Sequence, residues 1–293
     1  MWSVRARRRG RDLREAEGAS PLVDRWTTVG GTRVFFRESR TVPTAPAMVH
    51  LHGFAMSGRY LLPTAERLAT TFHTLVPDLP GCGRSERPRT PLDIEDLAHV
   101  TAAFLDERGI GSATLVGHSV GCAVITEFAH LYPQRLDRAV LVSPAGGPHN
   151  QPFLRAVRQV AHDSLREPTG LVPVAALDYL RFGLPSTKRL FDALAQYPSL
   201  ERLLDLEIPT LTVVGDRDPL MPAPLRLRRV VSESRSRALV IVVEGAAHAV
   251  NYSHPDELAH LVRLFVSGDP VGDDTPGVAR TYELLRGRPS GAS

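Results

Sequence analysis

Cysteine is nearly missing from this chain: Cys82 and Cys122 are the two thiols among 293 residues. Two thiols are too few for a disulfide framework and stand outside any metal-ligand spacing, so a reducing cytoplasm is the expected compartment. Long apolar runs are missing too. A membrane helix needs ~18 or more consecutive apolar residues, and the longest strand-like run here is Ala238 to Val243. Charge of one sign is scarce: the formal net charge is +3, with much of the excess in Arg5, Arg7, Arg8, Arg9, Arg11 and Arg14. No aromatic residues interleave that basic run, which argues against a nucleic-acid surface and for a solvated, flexible arm over residues 1–24. The same stretch lacks the apolar segment of a secretory signal, and no internal repeat is evident.

What the chain does contain is an alternation. After a short β ribbon, "WTTV", Gly30-Gly31 and "TRVFFRE", come brief unbroken apolar runs: "AMVHLH", "TLVPD", "ATLVG", "RAVLVSP", "TLTVVGD" and "ALVIVVEG". The Gly-Gly pair is a hairpin signal. Unbroken runs suit strands buried on both faces, and the amphipathic stretches between them suit helices covering a mostly parallel sheet of about eight strands. In "CAVITEFAHLYP", Val124, Phe128 and Leu131 share a face and Pro133 ends the run; in "PDELAHLVRLFV", Pro255 opens a helix with Leu258, Leu261, Val262 and Phe265 on one side. The alternation lapses over residues 146–206, which read as short helices with apolar stripes at Phe153, Val157 and Val160 and at Leu177, Leu180 and Phe182. That block predicts a helical cap inserted into an α/β core spanning 25–145 and 207–267, its stripes mostly packing and in part lining a pocket. Residues 268–293 read as a flexible tail with a short helix at "ARTYELLRG".

Chemistry enters with "VGHSVGCA", residues 116–123. Typical glycine and serine usage yields a chance G-x-S-x-G in a chain this long roughly one time in ten, so context has to decide. Here "ATLVG" reads as a strand, "CAVITEFAH" as a helix, and Gly117 to Gly121 is the whole connection. A serine on so sharp a turn is lifted clear of the sheet edge, with the positive end of a helix behind it.

On these residues the sequence resembles the α/β-hydrolase superfamily from about Trp26 to Val266, and most of all its small-capped branch of esterases, carbon–carbon bond hydrolases and cofactor-free haloperoxidases. The resemblance implies an α/β-hydrolase fold and the chain order serine, acid, histidine. It nominates Ser119 as nucleophile, Asp218 in "VVGDRDPLMP" as the acid and His248 in "VVEGAAHAVNYSHPDEL" as the base. Asp216 and His254 are the rivals for the last two. It also nominates the backbone N–H groups of Val120 and Phe54 as an oxyanion hole, with His52 bracing the "HGF" loop and Gly53 letting it turn. Asp78, Gly81 and Gly83 fit the family's following loop, while Cys82 and Cys122 stand where other residues are common and read as packing.

The expected activity is therefore serine hydrolysis through an acyl-enzyme, on a small to medium hydrophobic carboxylic ester, with no metal or organic cofactor. Serine in place of aspartate at the nucleophile argues against haloalkane dehalogenase and epoxide hydrolase chemistry. Carbon–carbon cleavage, or thioesterase and cyclase work on a carrier-bound acyl group docked by the basic arm, would use the same triad. A non-catalytic binding protein of this fold is the remaining alternative, disfavoured because it would usually lack a triad member.

Overall fold

The computed structural model describes residues 20–40, 44–146, 150–198, 202, 206–221, 239–271 and 282–286. The basic run from Arg5 to Arg14 and Pro222 lie outside the described residues.

The ribbon forms as the turn signal requires. Strands β1 (Leu22–Val29) and β2 (Thr32–Ser39) pair antiparallel with Val29 opposite Thr32. The two connecting residues, Gly30 and Gly31, sit at φ 54° and 79°, the hand that matches strand twist. Leu22 is buried beside Met56 and Tyr60, so the strand begins inside the segment expected to be an arm; apolar burial decides that boundary.

The unbroken apolar runs become the central strands β3 (Ala47–Leu51), β4 (His73–Pro77), β5 (Ala113–His118), β6 (Leu136–Val142), β7 (Thr210–Gly215) and β8 (Leu239–Val243). They pair parallel in the order β4-β3-β5-β6-β7-β8. Every residue of β5 and β7 is buried, because helices cover both faces. On one face lie α2 (Ile94–Glu107) and α3 (Val120–Leu131), which bring Leu97, Phe104, Ile125 and Phe128 to the core. On the other lie α1 (Leu62–Leu68) and, near the C-terminus, Pro255–Ser267, which bring Leu68, Leu258, Leu261 and Val262. Each of those long helices starts and stops where local chemistry dictates. Asp93 and Asp96 exchange reciprocal 3.0 Å bonds at the head of α2, and Gly268, at φ 78°, closes the C-terminal helix.

Between β6 and β7 the chain inserts α4 (Phe153–Ser164), α5 (Val172–Phe182) and α6 (Leu184–Gln196). The apolar stripes here divide in a way periodicity does not reveal. Phe182 is buried, whereas Leu177 and Leu180 are exposed, and Val157 and Val160 are exposed too but line a cavity. After β8 come the short α7 (Val250–Ser253) and then α8, the Pro255–Ser267 helix.

One expectation is corrected outright. Residues 282–286, read as part of a short helix in a flexible tail, form β9 (Tyr282–Arg286), antiparallel to β8 with Val243 opposite Tyr282. The sheet therefore has nine strands among the described residues, where about eight were expected. A β8 edge left open would present a row of unpaired backbone donors and acceptors, and pairing with this segment satisfies them. A five-residue segment has too few positions for a local pattern to foretell that.

Candidate active site

Ser119 occupies the connection between β5 and α3 at φ 55° and ψ −115°, a backbone conformation costing on the order of 1–3 kcal/mol for a residue with a Cβ. Its own N–H is tied to Val142 O at 2.9 Å. The turn is as tight as it is because a glycine follows two positions on. A Cβ on Gly121 would fall 2.4 Å from Leu51 O, so only glycine lets α3 lie this close to β3. The loop after β3 reaches the same point from the other side: a Cβ on Gly53 would lie 3.2 Å from the Ser119 Cβ. Val120 opens the first turn of α3 and is buried.

Parallel order brings the C-terminal ends of β5, β6, β7 and β8 side by side, and the loops leaving β7 and β8 meet there. His248 Nδ1 donates to Asp218 Oδ2 at 2.8 Å, and Asp218 Oδ1 accepts from Leu220 N at 2.8 Å. Serine, histidine and aspartate are each less than a tenth exposed. Burial alone would depress the His248 imidazole, but the carboxylates of Asp218, Asp163 and Glu167 more than reverse this and raise it to about 9. Burial likewise works against ionised Asp218, and the charge and hydrogen bond of His248 hold it below the usual carboxylate range. Each rival has other work. Asp216 Oδ1 accepts from Gly245 N at 2.7 Å across an exposed turn, and His254 stands at the head of α8 with Nδ1 2.8 Å from Ser253 Oγ.

Ser119, His248, Gly53 and Phe54 share the wall of one cavity of about 420 Å³. The rest of that wall is largely apolar and comes from the inserted helices, through residues such as Val157, Val160, Val172, Ala175 and Leu194. Phe54 meets Phe182 of α5 edge to face, with ring centroids 6.0 Å apart. His52 is a brace: Nε2 accepts from Leu79 N at 2.9 Å while Nδ1 donates to Gly53 O at 3.0 Å. Cys82 and Cys122 are buried free thiols, and burial pushes both far above the ordinary thiol range. Cys122 Sγ donates to Gly117 O and Val142 O, which packs it under the elbow.

The model of the alpha/beta hydrolase family matches residues 48–261, from β3 into α8. This chain belongs to the alpha/beta hydrolase family. It is 33% identical over 138 residues to an uncharacterized protein of Mycobacterium tuberculosis, a match covering 47% of this chain and 40% of that one. It thus spans well under half the length of those mycobacterial relatives. It is 30% identical over 251 residues to a pimeloyl-[acyl-carrier protein] methyl ester esterase of Xanthomonas campestris, covering 77% of this chain and 96% of the esterase. Among solved structures it is similar in fold to a carboxylesterase from Bacillus subtilis, at 17% identity and a TM-score of 0.70, covering 90% and 98% of the two chains. No helix among the described residues is long and apolar enough to cross a membrane.

Several residues at the site escaped sequence reasoning. Tyr60 OH accepts from Gly53 N at 2.7 Å and donates to His118 Nδ1 at 2.7 Å; His118 Nε2 then donates to His248 O at 3.0 Å. The chain of bonds assigns one tautomer throughout, and burial keeps His118 neutral by pushing it down to about 3. His118 is the variable residue directly before Ser119 in the Gly117–Gly121 turn, and nothing local marks Tyr60. The insertion also sends three buried carboxylates into the site. Asp163 accepts from His248 N, Glu167 from Ala249 N, and Asp178 from Ser57 N and Oγ. No local pattern marks them, since the segment's six acids are matched by six arginines.

Proposed function

We propose that this alpha/beta hydrolase is a serine esterase working through an acyl-enzyme, with Ser119, His248 and Asp218 as its triad. The observation that carries the reading is the 2.8 Å bond from His248 Nδ1 to Asp218, behind a cavity whose wall holds both His248 and the strained Ser119. With Nδ1 engaged, Nε2 is the nitrogen left to take a proton. Neutral His248 removes the Ser119 proton as Oγ attacks the ester carbonyl, and Asp218 stabilises the imidazolium that forms. Negative charge on the carbonyl oxygen is met by the N–H groups of Val120 and Phe54, at the head of α3 and in the loop after β3. Collapse of that intermediate passes the proton from His248 to the departing alcohol. Water then enters by the same route, giving up its proton to His248, and frees the acid and Ser119.

The substrate follows from the wall. A cavity of about 420 Å³ with a largely apolar wall of valine, leucine, alanine, phenylalanine and methionine side chains suits a small to medium hydrophobic acyl group. The inserted helices are the cap that sets its size. The Xanthomonas relative's name as a methyl ester esterase supports ester chemistry. Labelling by a fluorophosphonate probe, lost in Ser119→Ala, together with turnover of p-nitrophenyl esters, tests the reading. Undiminished labelling of Ser119→Ala would refute it.

A further inference from the structure

We infer that Asp163 and Glu167 are positioning residues through which the cap holds the His248 loop in working register, an inference that rests on the triad reading above. His248 N–H donates to Asp163 Oδ1 at 3.1 Å and Ala249 N–H donates to Glu167 Oε1 at 2.6 Å. Asp163 lies in the last turn of α4 and Glu167 in the turn just after it, with Glu167 N–H bonded to Asp163 O, so one turn of cap chain grips two successive amides of the histidine loop. Both side chains are 8% exposed and both reach the cavity wall. Buried carboxylates are expensive unless they receive hydrogen bonds, and bonds to an ionised acceptor are the stronger kind.

The cap's acids are deployed selectively. Its segment, 146–206, holds six, of which Asp192 pairs with Lys188 on α6 and Glu201 and Asp205 lie outside the described residues. The other three turn inward onto the two loops that flank Ser119: Asp163 and Glu167 onto the histidine loop, Asp178 onto Ser57 beyond Phe54. The His248 backbone is therefore pinned at both ends. Its carbonyl is held by His118 of the core and its amide by Asp163 of the cap. One anchor comes from β5 of the core and the other from the inserted cap, so the placement of the base depends on how the cap packs against the core.

The same carboxylates face the imidazole electrostatically. The charged and titratable groups around it are Asp218 on the loop after β7, His118 at the end of β5, and Asp163 and Glu167 from the cap; Tyr179 and Arg166 lie near Asp163. Arg166 itself is exposed and donates to Arg217 O. Burial raises Asp163 and lifts Glu167 to about 7. Each ionised cap acid favours imidazolium, so removing one must lower the His248 pKa.

The test compares wild type with Asp163→Ala/Glu167→Ala, Asp163→Asn, Glu167→Gln and, as a control, Arg189→Ala, which cuts a cap-to-core pair with Asp93 and Asp96 away from the site. The readouts are kcat and KM on p-nitrophenyl butyrate, the acidic limb of kcat/KM, and the rate of fluorophosphonate labelling. The double alanine variant should lose about 10-fold or more in kcat with little change in KM, the cost of a misplaced base. Glu167→Gln keeps an acceptor and should recover most of kcat, yet its acidic limb should still move to lower pH, by about half a unit or more, because charge is gone. Arg189→Ala should do neither. If the double variant does not fold, the Asn and Gln variants carry the test through their pH profiles. A labelled wild type whose variants keep its kcat and acidic limb, or an Arg189→Ala loss equal to the double variant's, overturns this inference alone. A wild type that is not labelled overturns the triad reading and this inference with it.

Discussion

Replacing Tyr60 by phenylalanine removes one oxygen from a residue that is 2% exposed and leaves the ring in place. Packing is conserved, so no cavity term arises and the loss is one of hydrogen bonding. Two buried groups depend on that hydroxyl: the Gly53 N–H, 2.7 Å away, and His118 Nδ1, also 2.7 Å away. Leaving a buried donor or acceptor without a partner costs about 1–3 kcal/mol each. The double loss is about 2–4 kcal/mol, taking the lower half of that range because the vacated space is small. Unfolding entropy near 2 cal/mol/K per residue over a chain of this length converts this to a fall in Tm of about 3–7 °C. The assay is paired urea and thermal unfolding of wild type and Tyr60→Phe, with esterase turnover measured alongside. Activity should fall more than stability predicts, since Gly53 precedes the proposed oxyanion donor Phe54 and His118 holds the His248 carbonyl. A stability change under about 0.5 kcal/mol, the size of an ordinary surface substitution, would mean that the two groups are satisfied without Tyr60, and the network reasoning would fail.

Ser119→Ala and Ser119→Gly should both abolish turnover, but glycine tolerates φ 55° and alanine does not, so the glycine variant should be the more stable by about 1 kcal/mol in urea unfolding. Equal stabilities would remove the strain from the elbow. Because His248 is raised to about 9 and must be neutral to act as base, kcat/KM should climb as pH rises through that value; a limb at or below the ordinary imidazole value counts against the burial and charge argument. Asp218→Asn should cost about 10³–10⁴-fold in kcat through the wrong tautomer and should bring the limb down, which a pH profile of the residual activity would read. Gly121→Ala drives a Cβ to within 2.4 Å of Leu51 O and should destabilise by about 1–3 kcal/mol, seen in denaturant midpoint.

The parts of this protein that the sequence determined by itself are those whose causes lie within a few residues. The Gly30-Gly31 hairpin, the buried strands, the Pro255 helix start and the strand-elbow-helix around Ser119 each follow from local pattern and from backbone conformations that few residues tolerate. Asp218 and His248 were nominated only through the family resemblance, and it is the adjacency of parallel strands β7 and β8 that brings their side chains together. Beyond that, polar partners are chosen across long stretches of chain. Tyr60 and His118 are 58 residues apart, Asp163 and His248 are 85, and Ser57 and Asp178 are 121. No periodicity connects such pairs. Tertiary structure alone decided that Leu180 faces water while Phe182 meets Phe54, that residues 282–286 complete a sheet edge, and that the cap's acids turn inward. In each case the reason is the same: a buried donor, acceptor or apolar surface takes whatever partner the assembled fold brings within reach.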